Sequence, residues 1–94
     1  MRTIHKIKIW EDFADAVLSG DKCFEVREDD RGYQKGDLVQ FNVVDKSPAC
    51  CLYMPHPLNE VTYEITYVLH GWGLKEGYVA FGIARYKESE DIQC

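Results

Sequence analysis

The fold is decided by residues 5–27, which read HKIKIWEDFADAVLSGDKCFEVR. Over residues 5–9 apolar and basic side chains alternate, which places Ile7 and Ile9 on one face and the lysines on the other. This two-residue period is typical of a half-buried β-strand. The chain is therefore predicted to begin with a strand.

The period changes directly after this strand. From Trp10 onward, apolar residues recur three or four positions apart, and Gly20 follows the last of them. This spacing places the apolar side chains on one side of an α-helix, and glycine commonly ends one. A short amphipathic helix over residues 11–19 is predicted.

The next segment, residues 22–27, has room only for a strand. Phe24 and Val26 share one face, whereas Glu25 and Arg27 share the other. We expect the charged face to point to solvent and the apolar face to pack inward.

Three further strands are predicted downstream. Residues 38–44 and 78–86 are rich in β-branched and aromatic side chains, and the odd-numbered residues of 61–69 are all apolar. Residues 45–60 hold all three prolines, which predicts a long loop. Five strands and one helix, without repeated βαβ units, indicate an α+β fold. Its mostly antiparallel sheet is expected to curl into a small barrel.

Length and composition limit the class of protein. The chain has 94 residues, and its 46% hydrophobic and 29% charged content is that of an ordinary globular protein. We expect one domain over residues 1–87 and a frayed acidic tail over residues 88–94. No apolar stretch is long enough to span a membrane, and the first residues do not resemble a signal peptide, which predicts a cytoplasmic protein without a membrane partner.

The four cysteines are predicted to be free thiols, as expected in a reducing compartment. Cys50, Cys51 and His56, joined by Cys23 or His70, form a conceivable zinc set. Their spacing is not a recognised ligand pattern, however. The sequence therefore predicts neither a metal nor a cofactor.

Four segments carry a resemblance to a known family. They are the pattern GxKxxExR at residues 20–27, HKIKIW at 5–10, YQKGD at 33–37 and GWGLKEGYVAFGI at 71–83. Together they resemble the ASCH domain, a branch of the PUA-like superfamily of small β-barrels, and in particular a bacterial and phage subfamily of unassigned function. The resemblance covers about residues 4–85. It implies a PUA-like barrel that binds RNA or a modified nucleoside.

The residues of the pattern suit such a ligand. Lys22 supplies a point charge for an anionic group, and Arg27 supplies a planar fork for bidentate contacts. Glu25 can hold either cation or accept a hydrogen bond from an exocyclic amine. The alternative is a solvated strand whose charges pair for well under about 1 kcal/mol. The resemblance favours a ligand-binding cleft.

Two aromatic residues complete the candidate site. His5 shares its strand face with Ile7 and Ile9, so it is either a cleft residue or a satisfied, partly buried histidine. Trp72 lies among glycines and either stacks on a ligand or caps the open end of the barrel.

An enzymatic alternative also follows from the resemblance. Some small ASCH proteins hydrolyse N4-acylated cytidines with the motif lysine, a threonine three residues later and a distant glutamate. Lys22 matches the lysine, but Glu25 stands in place of the threonine, so the hydroxyl nucleophile is missing. Glu60 or Glu64 would have to supply the distant glutamate. If the chain is a hydrolase, Lys22 and Glu25 are its candidate catalytic residues, although the missing threonine argues against an enzyme.

The net charge of the chain limits the kind of ligand that it can bind. A net charge of -5 repels a long phosphate backbone, which favours a small ligand or a short single-stranded element. A phage or mobile-element adaptor that binds a protein is a further alternative.

Overall fold

The computed structural model describes residues 2–45 and 53–86. The Cys50–Cys51 loop and the acidic tail lie outside the described residues. Within them the chain forms a small α+β domain, as predicted. Its elements, in chain order, are β1 (Ile4–Trp10), α1 (Glu11–Ser19), β2 (Phe24–Glu28), β3 (Leu38–Val44), a 3₁₀ turn (Pro57–Glu60), β4 (Thr62–His70) and β5 (Tyr78–Arg85).

The five strands form one sheet in the order β1-β3-β4-β5-β2. β1 runs parallel to β3, whereas the β3–β4, β4–β5 and β5–β2 pairs are antiparallel. The prediction of a mostly antiparallel sheet is thus confirmed. The sheet curls into a half-barrel, with β1 and β2 at its two edges.

The helix begins and ends where the sequence pattern indicates. Trp10 is still extended, and Gly20 adopts a left-handed conformation with φ 92°. A residue with a Cβ rarely tolerates this conformation, and the Gly20 amide donates to the carbonyl of Val17 to close the last turn. Ala14 and Val17 are the buried positions of the helix.

The core lies between the inner face of the sheet and α1. Every strand except β2 contributes apolar side chains to it, and a full burial of one such side chain is worth about 1.5–3 kcal/mol. No helix in the described part of the chain is long and apolar enough to cross a membrane.

β4 departs from the predicted alternation. Tyr63 and Ile65 are buried, but the pairing with β5 shifts between Ile65 and Tyr67, and Tyr67 is 64% exposed. The shift is a β-bulge, which inserts one residue and turns the following side chains to the other face. Gly82 makes room for the bulge, because a Cβ at this position would lie 2.7 Å from Thr66 Oγ1.

The expected orientation of β2 is wrong. Phe24 and Val26 are 49% and 48% exposed, whereas Glu25 is 5% exposed. Glu25 pairs in register with the buried Phe81 of β5, and directly paired residues share a face of the sheet. The charged face of this edge strand therefore points into the half-barrel and the apolar face points outward.

Candidate ligand-binding site

The three charged residues of the GxKxxExR pattern lie together, Glu25 and Arg27 on β2 and Lys22 two residues before its start. Nζ of Lys22 donates to Oε2 of Glu25 at 2.8 Å, and Nη1 of Arg27 donates to Oε1 at 3.2 Å. The Glu25 side chain is 6% exposed, while those of Lys22 and Arg27 are 20% and 27% exposed. A buried carboxylate is thus neutralised by two cations that still reach solvent.

Backbone carbonyls hold both cations in position. Nζ of Lys22 also donates to the carbonyl of Phe24 at 2.8 Å. Nη1 of Arg27 donates to the carbonyl of Lys8 at 3.1 Å, which ties β2 to β1 across the open side of the half-barrel. Because these bonds exist before any ligand arrives, the charged groups are preorganised.

These side chains lie in a cleft of about 630 Å³. Its apolar wall is formed by Trp10, Phe13 and Phe24, whose exposed fractions are 48%, 45% and 49%. The ring centroids of Trp10 and Phe13 are 6.4 Å apart in a stacked arrangement, and Nζ of Lys22 lies 4.9 Å from the Phe24 ring centroid. The cleft therefore combines flat apolar surfaces with a charged floor.

The cleft is more positive than the molecule as a whole. Four basic residues line it against three acidic ones, in a chain whose net charge is -5. The basic residues are Lys8, Lys22, Arg27 and Arg31, and the acidic ones are Glu25, Glu28 and Asp30. The charge of the lining therefore opposes an anionic group less than the net charge of the whole chain does.

Most residues of the lining were not predicted as site residues, among them three aromatic ones, Trp10, Phe13 and Tyr33. Trp10 and Phe13 were placed on the apolar side of the predicted helix, and Tyr33 was treated only as part of the YQKGD segment. Apolar residues at helical spacing give the same periodic signal whether they are exposed or buried. Only the positions of Trp10 at the end of β1 and of Phe13 on α1 show that these two rings face a cleft.

His5 lies behind the cleft and is not part of its lining. Its Nε2 is 2.9 Å from Oδ2 of Asp37, its ring centroid is 4.7 Å from that of Tyr33, and it is 4% exposed. His5 therefore supports Tyr33, which does line the cleft, and connects β1 to the turn before β3.

Trp72 lies on the β4–β5 connection, away from the cleft lining. It is 90% exposed and adopts φ 53°, between two glycines that also have positive φ. The structure thus brings Lys22, Glu25 and Arg27 together but places neither His5 nor Trp72 in the same lining.

The hydrolase alternative keeps its adjacent Lys22 and Glu25 but does not find its distant glutamate in the cleft. Glu60 and Glu64 are absent from the cleft lining, and Oε2 of Glu64, on the central strand β4, lies 3.5 Å from Nη2 of Arg2. Cys23 is exposed and lines a separate depression at the end of α1.

The histidines considered for zinc have other partners. Nε2 of His56 lies 2.7 Å from Asp15, and Nε2 of His70 lies 3.0 Å from Asp29. In residues 2–45 and 53–86, no group of three or more histidine, cysteine or acidic side chains is placed to hold a metal ion. Cys50 and Cys51 lie outside these ranges.

The pKa of the Asp37 carboxyl, which is bonded to His5 behind the cleft, is lowered. Burial acts to raise the pKa of Asp37, but hydrogen bonds from His5 and from the amides of Thr3 and Gln34 outweigh it and hold the pKa below 3.8. A carboxyl whose pKa is lower in the folded state stabilises the fold above its unfolded pKa, and this stabilisation is lost as the pH falls through the folded value.

We therefore expect an Asp37→Asn variant to be less stable than the parent at neutral pH by about 1–3 kcal/mol, because it loses charged hydrogen bonds. Between neutral pH and about pH 3, the free energy of unfolding of the variant should fall by less than that of the parent. Urea unfolding at the two pH values measures both effects. If the free energy of unfolding depended on pH equally in parent and variant, the lowered pKa would not belong to Asp37.

Comparison with known proteins identifies the family. No curated protein matches the chain. Residues 4–83 match DUF3850, a domain of unknown function. The match runs from the first residue of β1 into β5 and includes the Lys22, Glu25 and Arg27 cluster. The chain therefore belongs to the DUF3850 family.

Proposed function

We propose that this chain is a PUA-like domain of the ASCH type that binds RNA or a modified nucleoside in the cleft beside β2. The resemblance of the GxKxxExR segment to ASCH domains and the curled, mostly antiparallel half-barrel support the assignment. The observation that carries the proposal is the buried Glu25 carboxylate, held by Lys22 and Arg27 beneath partly exposed aromatic rings.

A purely structural explanation accounts poorly for this arrangement. Burying a carboxylate and drawing two cations toward it involves a desolvation cost that an apolar side chain would avoid. The exposed side of β2 carries Phe24 and Val26, so the strand turns apolar groups to water and charges inward. Such an inversion is expected where charged groups serve binding, because functional sites commonly depart from local folding rules.

The dimensions suit a small ligand. Small-molecule sites usually enclose about 300–1,000 Å³ and place a few polar groups among apolar walls. The cleft of about 630 Å³ falls within this range. One nucleoside, or one splayed nucleotide of a single strand, matches the site better than a duplex does.

Each part of the cleft has a role in this proposal. A base stacks against the rings of Trp10, Phe13 or Phe24, which is worth about 1–3 kcal/mol per base. Glu25 accepts a hydrogen bond from an exocyclic amine through lone pairs that its two cations leave open. Lys22 and Arg27 bind the acceptor or anionic atoms of the ligand.

The proposal is tested by thermal unfolding in the presence of the four common nucleosides, N4-acetylcytidine and short single-stranded RNAs. A ligand at a hundred times its Kd adds about 2.7 kcal/mol to the free energy of unfolding. Lys22→Ala should weaken binding roughly 10- to 150-fold, because a hydrogen bond to a charged group is worth about 1.5–3 kcal/mol. Lys35→Ala, at an exposed turn position, is the control and should bind as the parent does.

Two further measurements, the salt dependence of affinity and the release of acetate, distinguish RNA binding, nucleoside binding and hydrolysis. Affinity for RNA should fall with salt, by a slope near -0.7 per phosphate contacted, whereas affinity for a free nucleoside should hardly change. Release of acetate from N4-acetylcytidine would favour the amidohydrolase. If no probe stabilises the parent, the nucleic-acid proposal fails and the protein-binding adaptor becomes the better explanation.

A further inference from the structure

Tyr33 occupies a fixed position on the floor of the cleft. It lies between β2 and β3, is 2% exposed and is part of the cleft lining. Its ring centroid is 4.7 Å from those of both His5 and Phe81. Because His5 is in turn held by Asp37, the Tyr33 ring has little freedom to turn away.

The hydroxyl proton of this tyrosine has no acceptor: Arg27 lies near the hydroxyl oxygen, but a guanidinium can only donate, and no well-formed hydrogen bond is present. In the part of the chain that the structure describes, the hydroxyl oxygen is the one buried side-chain nitrogen or oxygen in this condition. Buried polar groups are nearly always partnered, because leaving one unpaired costs free energy. A fixed, buried and unpaired hydroxyl beside a cleft therefore calls for an explanation.

We propose that the Tyr33 hydroxyl donates a hydrogen bond to an acceptor oxygen of the bound ligand, next to Arg27. This inference rests on the proposed function of the cleft and adds a residue that the GxKxxExR pattern does not contain. It requires the ligand to carry an oxygen acceptor, which is either a base carbonyl or a phosphate oxygen.

The surroundings make the hydroxyl a donor. Burial raises the pKa of Tyr33, and the charges of Arg27 and Arg31, together with the approach of the Arg27 guanidinium to the hydroxyl oxygen, only partly oppose this effect. The group thus keeps its proton at neutral pH. An acceptor oxygen placed there also benefits from the two positive charges, since hydrogen bonds between charged and polar groups are the stronger ones.

Arg27 is the cation next to this position. Its bonds to Glu25 and to the Lys8 carbonyl both use Nη1, and its side chain is 27% exposed. A guanidinium has five N–H donors, so the side chain can shift toward a ligand while it keeps a bond to Glu25. The Tyr33 hydroxyl has almost no solvent contact in the free protein, and because Arg27 lies beside it, such a shift would bring a ligand acceptor within its reach.

The test compares parent, Tyr33→Phe and Arg27→Ala by calorimetric titration with cytidine, N4-acetylcytidine and cytidine monophosphate, and by thermal unfolding without ligand. Tyr33→Phe should weaken binding about tenfold, as expected for one hydrogen bond. Its unfolding midpoint should be no lower than that of the parent, because phenylalanine removes an unpaired group. Tyr67→Phe, on the exposed part of β4 outside the cleft, is the matched control and should change neither quantity.

The two nucleoside probes and the nucleotide distinguish the source of the oxygen. An equal loss with all three probes assigns it to the nucleoside part that they share, whereas a loss confined to the monophosphate assigns it to the phosphate. Parent-like affinity of Tyr33→Phe combined with weakened Arg27→Ala would overturn this inference and leave the proposed function standing. A midpoint lowered by more than about 4 °C would also overturn it, because the hydroxyl would then have a partner inside the fold. A parent that binds none of the probes would overturn both.

Discussion

Glu25→Ala is expected to abolish measurable ligand binding and to destabilise the domain by about 3 kcal/mol. The carboxylate is 5% exposed and is the shared partner of Lys22 and Arg27. Without it the two cations repel each other and the amine acceptor of the cleft is lost. We expect affinity for the identified nucleoside or RNA to fall at least a hundredfold, since several charged hydrogen bonds are lost together.

The isosteric Glu25→Gln variant separates charge from shape. It keeps one acceptor oxygen but turns an amide N–H₂ toward a cation, so we expect a smaller loss of stability, about 1–2 kcal/mol, and intermediate affinity. Glu76→Ala, at an exposed position of the β4–β5 connection, is the control for loss of a surface carboxylate. Chemical denaturation and titration calorimetry measure these effects. A fully stable, tightly binding Glu25→Ala variant would contradict the role of the carboxylate.

Phe81→Ala is expected to lower the free energy of unfolding by about 3–5 kcal/mol, the usual range for removing a buried aromatic ring. Phe81 is 1% exposed, is the register partner of Glu25 and packs 4.7 Å from Tyr33 between ring centroids. The resulting cavity would lie directly beneath the cleft floor. The variant should therefore also bind ligand more weakly at temperatures where it remains folded.

Two variants control for this effect. Phe81→Leu keeps most of the buried volume and should lose less stability than the alanine variant. Tyr67→Ala removes an aromatic ring of the neighbouring strand that is 64% exposed, and should cost well under half as much. Equal losses for Phe81→Ala and Tyr67→Ala would show that the core is assigned to the wrong face of the sheet.

The elements were predictable because their periodic signals were long and uninterrupted. The change of period at Trp10 and the glycine at position 20 located α1 within the bounds that the structure shows. The alternation of apolar residues in β4 correctly indicated a strand. In the sequence, however, this alternation continues past residues 65–67, where the structure has a bulge. A bulge changes the face without changing the sequence pattern, so Tyr67 was assigned to the wrong side.

The inversion of β2 could not be predicted from its own sequence. Alternation separates Phe24 and Val26 from Glu25 and Arg27 but does not state which pair faces inward. The usual rule buries the apolar pair. Here, pairing with β5 places Glu25 beside Phe81, and the two cations compensate its charge, so tertiary context outweighs the local preference.

The lining of the cleft was only partly predictable. Lys22, Glu25 and Arg27 lie within six residues of one another, so a motif could reveal them. Tyr33 is brought to the same cleft by the path of the chain between β2 and β3. That its hydroxyl lacks an acceptor can be seen only in the structure.

The most direct test of the central claim is a ligand titration followed by ¹H–¹⁵N correlation spectra of the indole groups. The chain has two tryptophans: Trp10 lines the cleft, whereas Trp72 lies outside its lining and is 90% exposed. If a nucleoside or short RNA binds beside β2, the indole signal of Trp10 should shift with saturation and that of Trp72 should stay in place. A shift confined to Trp72 would contradict the account, because it would place the ligand on the β4–β5 connection.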